Sequence, residues 1–179
     1  VTPNTSTSGV LTYENISLSA SLKGGGVGSF DVNGLKLEEG RIYDDDEVLN
    51  SASVALIDQN TKNSIFKNDD PIGKIILFNK KPLRIIGVLQ KDDFKMGDSS
   101  TLKIYAPYTT VLNKVTGDKF ISSITAKVNE GVNAQIAEKT LTELLEIKHG
   151  KKDFFTRNSD SIKQTIEETI STMRLLISS

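Results

Sequence analysis

Alternation is the clearest pattern in this chain. Ile16, Leu18, Ala20 and Leu22 take turns with Ser17, Ser19, Ser21 and Lys23, the period of two of a half-buried strand. Gly24, Gly25 and Gly26 read as a turn, and Val27 to Val32 as a second strand, which together predict a hairpin. From Gly34 to Asp46 the pattern is loop-like and carries an acidic run, Asp44, Asp45, Asp46 and Glu47. Ser53 to Asp58 is a compact apolar strand, and Asp58 can cap a helix over Gln59 to Phe66 by accepting its free amide donors. "PIGKIILF" and "PLRIIGVL" are two further strands joined by a turn at Asn79 to Pro82, and "LKIYAP" is another. The stretch "QKDDFKMGDSST" between them is polar and contains glycine, which predicts a mobile surface loop.

The final third changes register. Ile124, Ala126 and Val128 alternate with Ser123, Thr125 and Lys127, again the pattern of a strand. Asn133 then caps a helix whose apolar stripe is Ile136, Ala137, Leu141, Leu144 and Leu145, and Gly150 sits where a left-handed C-terminal cap is wanted. "DFFTRN" reads as a short strand that completes a β-α-β unit, with a right-handed crossover if its strands lie parallel in one sheet. Phe154 and Phe155 are consecutive, so on a strand they face opposite sides, and one of them needs a second layer or a partner to cover it. The last helix is expected to start near Ser159 or Asp160. Its apolar positions Ile162, Ile166, Ile170, Met173 and Ile177 form one narrow stripe, which fits a helix leaning on a single neighbour.

Composition adds limits. The apolar fraction of 37% suits an elongated or subdivided shape. Balanced charge, 22 basic against 23 acidic residues, gives no nucleic-acid footprint. There is no cysteine, so disulfides and thiolate metal sites are excluded. No run of about 18 apolar residues exists to cross a bilayer. The start has neither an initiator methionine nor signal-peptide character, and the chain is expected to be a fragment of something longer.

Candidate chemistry is sparse. His149, the single histidine, lies in the last turn of a helix beside lysines, where a cation suits the helix dipole better than catalysis. The acidic run lacks the alternate spacing of a calcium loop and reads as a solvated loop with at most adventitious cation binding. "GGGVGS" fits no phosphate-binding pattern and no helix is expected after it. The sequons at Asn4 and Asn15 are chance matches in a Ser/Thr-rich segment. No cofactor or metal and no catalytic residue are expected in this chain.

Four stretches carry a resemblance. "HGKKDFFTRNSDSIKQTIEETISTMRLLIS" is similar to the segment leading into the second transmembrane helix of MacB-type ABC transporters, the macrolide and peptide exporters of Gram-negative bacteria. "VNGLKLEEGRIYDDDE", "VALIDQNTKNSIFKNDDPIGKIILFNKKPLRIIGVL" and "ITAKVNEGVNAQIAEKTLTELLEIKHG" agree with the same family in the same order. The resemblance implies an α+β periplasmic domain of two subdomains, a porter-like β-α-β layer and an inserted mixed α/β subdomain. It assigns residues 1–33 and 118–158 to the first, lacking an N-terminal part that family members have, and residues 34–117 to the second. Residues 159–179 become a C-terminal stalk helix leading toward a transmembrane helix, with Ile162, Ile166, Ile170, Met173 and Ile177 as its interface. The domain would be a loop of a homodimeric inner-membrane permease. That permease would work with a periplasmic adaptor (membrane fusion) protein and, through it, a TolC-type outer-membrane channel. Phe154 and Phe155, with Lys91, Asp92, Asp93 and Lys95 of the polar loop, are candidates for the adaptor contact. The family's ATP hydrolysis belongs to a cytoplasmic domain whose motifs are not in this chain. An alternative from related permeases is a periplasmic domain of the lipoprotein-releasing or cell-division type.

Overall fold

A computed structural model describes residues 1–67, 69–90, 101–129 and 131–157. The chain divides into two compact units, Val1–Lys127 and Val128–Ser179. The first is a mixed α/β fold. It holds the strands β1 (Thr2–Tyr13), β2 (Ile16–Gly25), β3 (Leu37–Gly40), β4 (Val54–Asp58), β5 (Ile75–Phe78), β6 (Lys81–Leu89), β7 (Leu102–Pro107) and β8 (Ser123–Thr125). Between them lie the short helices α1 (Ser29–Val32), α2 (Asp45–Leu49) and α3 (Gln59–Ile65), then α4 (Tyr108–Thr110) running into a π-helical turn at Val111–Thr116.

The sheet curls back on itself. Its order is β2-β7-β4-β6-β5-β1-β8, and β1 also pairs with β2 along ten residue pairs from Asn4↔Gly25 to Tyr13↔Ile16. The strands β2, β7, β4, β6, β5 and β1 therefore form a ring, with β2–β7 and β4–β6 parallel and the other pairs antiparallel. Inward-facing Leu11, Leu22, Ala55, Ile57, Ile76, Phe78, Leu83, Ile85 and Ile104 fill it, with Ile65 and Phe66 from the end of α3 and Val111 packed into the same cluster. Burying so much aliphatic surface, at about 25 cal/mol per Å², is the main stabilising term. A second cluster lies on the opposite face of β4, where Leu56 meets Phe30, Tyr43, Val48, Ile86 and Leu89. β4 is buried on both faces, which is why its sequence reads as a continuous apolar run rather than an alternation.

Local sequence explains the elements around this ring. Asp58 Oδ1 accepts from Thr61 N at 2.9 Å and from Thr61 Oγ1 at 2.6 Å, which caps α3. Lys103 N also donates to Thr61 Oγ1 at 3.1 Å, so the cap fastens α3 to β7. The acidic run is not a loop. Asp44 Oδ1 accepts from Glu47 N, Glu47 accepts from Asp44 N, and this capping box starts α2. Arg41 grips Glu47 with both guanidinium nitrogens at 2.7 Å, and its hydrogen bonds hold the Glu47 carboxyl below the usual range.

Two further expectations need correction. Residues 24–26 are not a hairpin turn, and 27–32 is not a strand; the hairpin is β1–β2, turning at Glu14 and Asn15, and Ser29–Val32 is helical. The glycines serve close packing instead. A Cβ at Gly25 would lie 2.5 Å from Ser29 Oγ, and one at Gly24 would lie 2.6 Å from Thr5 Cγ2. β2 pairs with β1 inside the expected segment 1–33 and with β7 across its boundary with 34–117, so the sheet is continuous from one segment to the other.

Tyr43 ties the ends of β2 and β7. Its buried hydroxyl lies 3.0 Å from Gly25 O and 3.2 Å from Ala106 O, and it donates to either carbonyl. Burial pushes the phenol well above its ordinary pKa of 10.0, with a hydrogen bond from Ser29 opposing. A raised pKa contributes stability that is present below the unfolded value and lost as pH rises toward the folded one. Tyr43→Phe should cost about 1 kcal/mol at neutral pH. It should also remove part of the alkaline loss that the native chain suffers above about pH 10. Urea unfolding of both proteins at neutral and alkaline pH checks this; equal alkaline losses would show that the phenol is not responsible.

Candidate interaction surface

The second unit contains α5 (Ala134–His149). Asn133 Oδ1 accepts from Gln135 N at 2.9 Å and Ile136 N at 3.3 Å, and Gly150 ends the helix in the left-handed region at φ 70°. Both caps stand where the sequence put them. The apolar stripe is largely open among the described residues: α5 buries no residue fully, with Ile136 64% and Ile147 80% exposed, Leu141 and Leu144 also in solvent, and Ala137 and Leu145 half-buried. An amphipathic helix with its apolar face open is the form a docking element takes.

Residues after α5 depart from expectation. Over its described residues, Asp153 to Arg157, "DFFTRN" is not strand. The alternating stretch at 123–128 is strand only over β8, which pairs with β1 through Thr2↔Thr125, Pro3↔Ile124 and Asn4↔Ser123. The β-α-β unit is therefore not completed within the described residues. Phe154 is half-buried, with its ring edge-on to His149 at 5.9 Å, while Phe155 is 99% exposed. His149 Nδ1 lies 3.1 Å from Asp153 Oδ1, and this contact, with Lys151, holds the Asp153 carboxyl below its usual range. The histidine's partner is a surface carboxylate at the helix end. Lys91, Asp92, Asp93 and Lys95, and the stripe Ile162, Ile166, Ile170, Met173 and Ile177, lie outside the described residues.

The first unit has a polar cleft of about 230 Å³ that no sequence motif marks. Its lining includes Asn4, Ser6, Lys23, Asn33, Tyr105 and Ser122, drawn from strands and loops far apart in the chain. Lys23 Nζ stands 5.9 Å from the centre of the Tyr105 ring. Among the described residues no group of His, Asp or Glu is placed to hold a metal ion, and no helix is long and apolar enough to cross a membrane.

The class of fold is shared with the extracellular domain of the ABC-type transporter YknZ from Gram-positive bacteria, at a TM-score of 0.72 and 22% identity over 85% of this chain and 76% of that one. The family is closer. The MacB-like periplasmic core domain matches residues 1–144, and the chain belongs to that family. It is similar to the solved periplasmic region of MacB from Actinobacillus actinomycetemcomitans, with a TM-score of 0.80 and 51% identity over 93% of this chain and 74% of that one. It is 58% identical, over its whole length, to the macrolide export ATP-binding/permease protein MacB of Mannheimia succiniciproducens. Over 99% of its length it is 52% identical to the protein of that name from Neisseria meningitidis. The chain spans 28% of the length of these relatives. It is a MacB-like periplasmic core domain, which places it in the periplasm.

Exposure sorts the phenylalanines into two kinds. Phe155→Ala should change stability by less than about 0.5 kcal/mol, since it uncovers nothing. Phe78→Ala, at the fully buried centre of the ring, should cost about 3–5 kcal/mol. Urea unfolding of the two variants measures both; a loss above about 0.5 kcal/mol at Phe155 would mean that the ring is covered in solution.

Proposed function

We propose that this chain is the coupling domain of an efflux transporter. In that role it relays ATP-driven motion of transmembrane helices to the periplasm, and so drives macrolides or peptides through an adaptor protein toward an outer-membrane channel of the TolC type. ATP hydrolysis would belong to another part of the transporter. The observation that carries the reading is the likeness, over nearly the whole chain, to the macrolide export proteins and to the periplasmic region of MacB.

In this reading the transporter is a homodimer and residues 159–179 form a stalk rising from the membrane. Ile162, Ile166, Ile170, Met173 and Ile177 would be its seam, since their helical spacing puts them on one side. Force reaches the periplasm only through an element with discrete packed states, and a stalk seated on one neighbour is such an element. The adaptor would bind near Phe154 and Phe155 together with Lys91, Asp92, Asp93 and Lys95. Support for that assignment comes from Phe155, a large apolar side chain held fully in solvent. The porter-like grouping of residues 118–158 with the N-terminal segment belongs to the same proposal.

Replacing Ile166 and Ile170 by asparagine in the intact transporter should lower macrolide resistance while ATPase activity is kept. Minimal inhibitory concentration and phosphate release, measured on the same variant, separate the two. Unchanged resistance would remove the stalk seam from the mechanism.

A further inference from the structure

The ring of strands is closed unevenly, and the gap has a chemistry. β1 is twelve residues long, but its outer edge is paired only at its two ends. β8 covers Thr2 to Asn4, and β5 covers Leu11 and Thr12. At the margins, Ser122 N donates to Asn4 O at 2.9 Å, Asn79 N donates to Val10 O at 2.9 Å, and Val10 N donates to the Asn79 side chain at 2.9 Å. These bonds fix which way the backbone faces. Asn4, Val10 and Thr12 turn their backbone groups to the outer edge. By the period of two, Ser6 and Ser8 do the same, while Thr5, Thr7 and Gly9 face β2.

Ser6 and Ser8 thus present two N–H donors and two C=O acceptors with no strand opposite them among the described residues, and both residues are exposed. An unpaired strand edge is a template for an added strand. The polar cleft opens beside it, lined by Ser6 as well as by Lys23 and Tyr105 on the adjoining strands. From Asn4 to Val10 the gap spans roughly 20 Å at about 3.3 Å per residue.

We propose that this edge binds a short extended peptide, which adds to β1 between β8 and β5 and takes the four backbone groups of Ser6 and Ser8. The gap decides the kind of occupant. Ser122 and Asn79 sit in the plane of the sheet at either end, so an added segment of four or five residues must leave the sheet at both termini. A flexible peptide does this readily. The edge strand of a folded partner continues straight in both directions and meets β5 or β8. Backbone recognition of this type reads main chain and tolerates many side chains, which suits a cargo site. That the peptide is cargo rests on the function proposed above; the binding site does not.

The test uses the full 179-residue chain. The probe is an acetylated, amidated pentapeptide of alternating threonine and valine, titrated to millimolar concentration against the isotope-labelled protein. The amide signals of Ser6 and Ser8 should shift and their hydrogen exchange should slow, with Thr5, Thr7 and Gly9 little changed. The fully N-methylated peptide, which has no amide donors, should bind at least about tenfold more weakly. Ser8→Pro removes one edge donor without taking a β1–β2 ladder bond and should weaken the native peptide by a similar factor. If that variant does not fold, the comparison of the two peptides on the native chain decides alone. Equal binding of the two peptides, or unmoved Ser6 and Ser8 amides, overturns the proposal. Neither outcome touches the coupling role, which is read from transport by stalk variants.

Discussion

The parallel pairing of β2 with β7 is the contact on which the rest of the first unit depends. It brings Ala20–Gly25 against Leu102–Pro107, and a parallel pair needs a long crossover between its strands. Here the crossover is most of the unit: α1, α2, α3 and the strands β3 to β6 all lie between the two in sequence. Because β1 is laddered to β2 and reaches β5, the same pairing closes the ring and encloses Leu11, Ile57, Phe78 and Ile104. Around it the chain adds specific ties. Tyr43 joins the ends of β2 and β7, Asp58 and Thr61 join α3 to β7, and the threonine hydroxyls of Thr109 and Thr110 join the chain after β7 to Val48 and Ala52.

This dependence explains which parts were legible beforehand. β4, β6 and β7 are buried apolar segments whose sequence states their role, and Asp58, Asn133 and Gly150 announce helix ends by chemistry that acts within four residues. β1 was not legible. Its run of Thr, Ser, Asn and Gly has little apolar periodicity, and it is a strand because β2, β5 and β8 supply backbone partners from elsewhere. Gly24 and Gly25 mislead for a related reason: glycine marks close approach as well as turns, and only the packing of Thr5 and Ser29 tells which. The acidic run misleads because the capping box made by Asp44 and Glu47 was read as loop charge.

The site was legible in a different measure. Strand alternation predicted that Phe154 and Phe155 differ, without saying which is covered; their described residues are not strand, yet the two do differ sharply in exposure. The apolar stripe of α5 was read correctly as a stripe, but sequence periodicity says nothing about whether a face is covered. The edge at Ser6 and Ser8 had no signal, since it is a property of the lengths of β5 and β8 relative to β1. The two units differ in packing. The ring is tightly packed, and close-packed interiors deform little. The unit beginning at Val128 keeps large apolar side chains in solvent, where another surface gains by covering them.

Backbone hydrogen exchange along β1 tests the central claim, the unevenly closed ring, most directly. The account predicts a sawtooth. Amides of Thr5, Thr7 and Gly9, laddered to β2, exchange slowly, as does Val10, held by Asn79, while Ser6 and Ser8 exchange fast. Uniform protection from Thr5 to Val10 would contradict it, because it would mean that the outer edge of β1 is already paired.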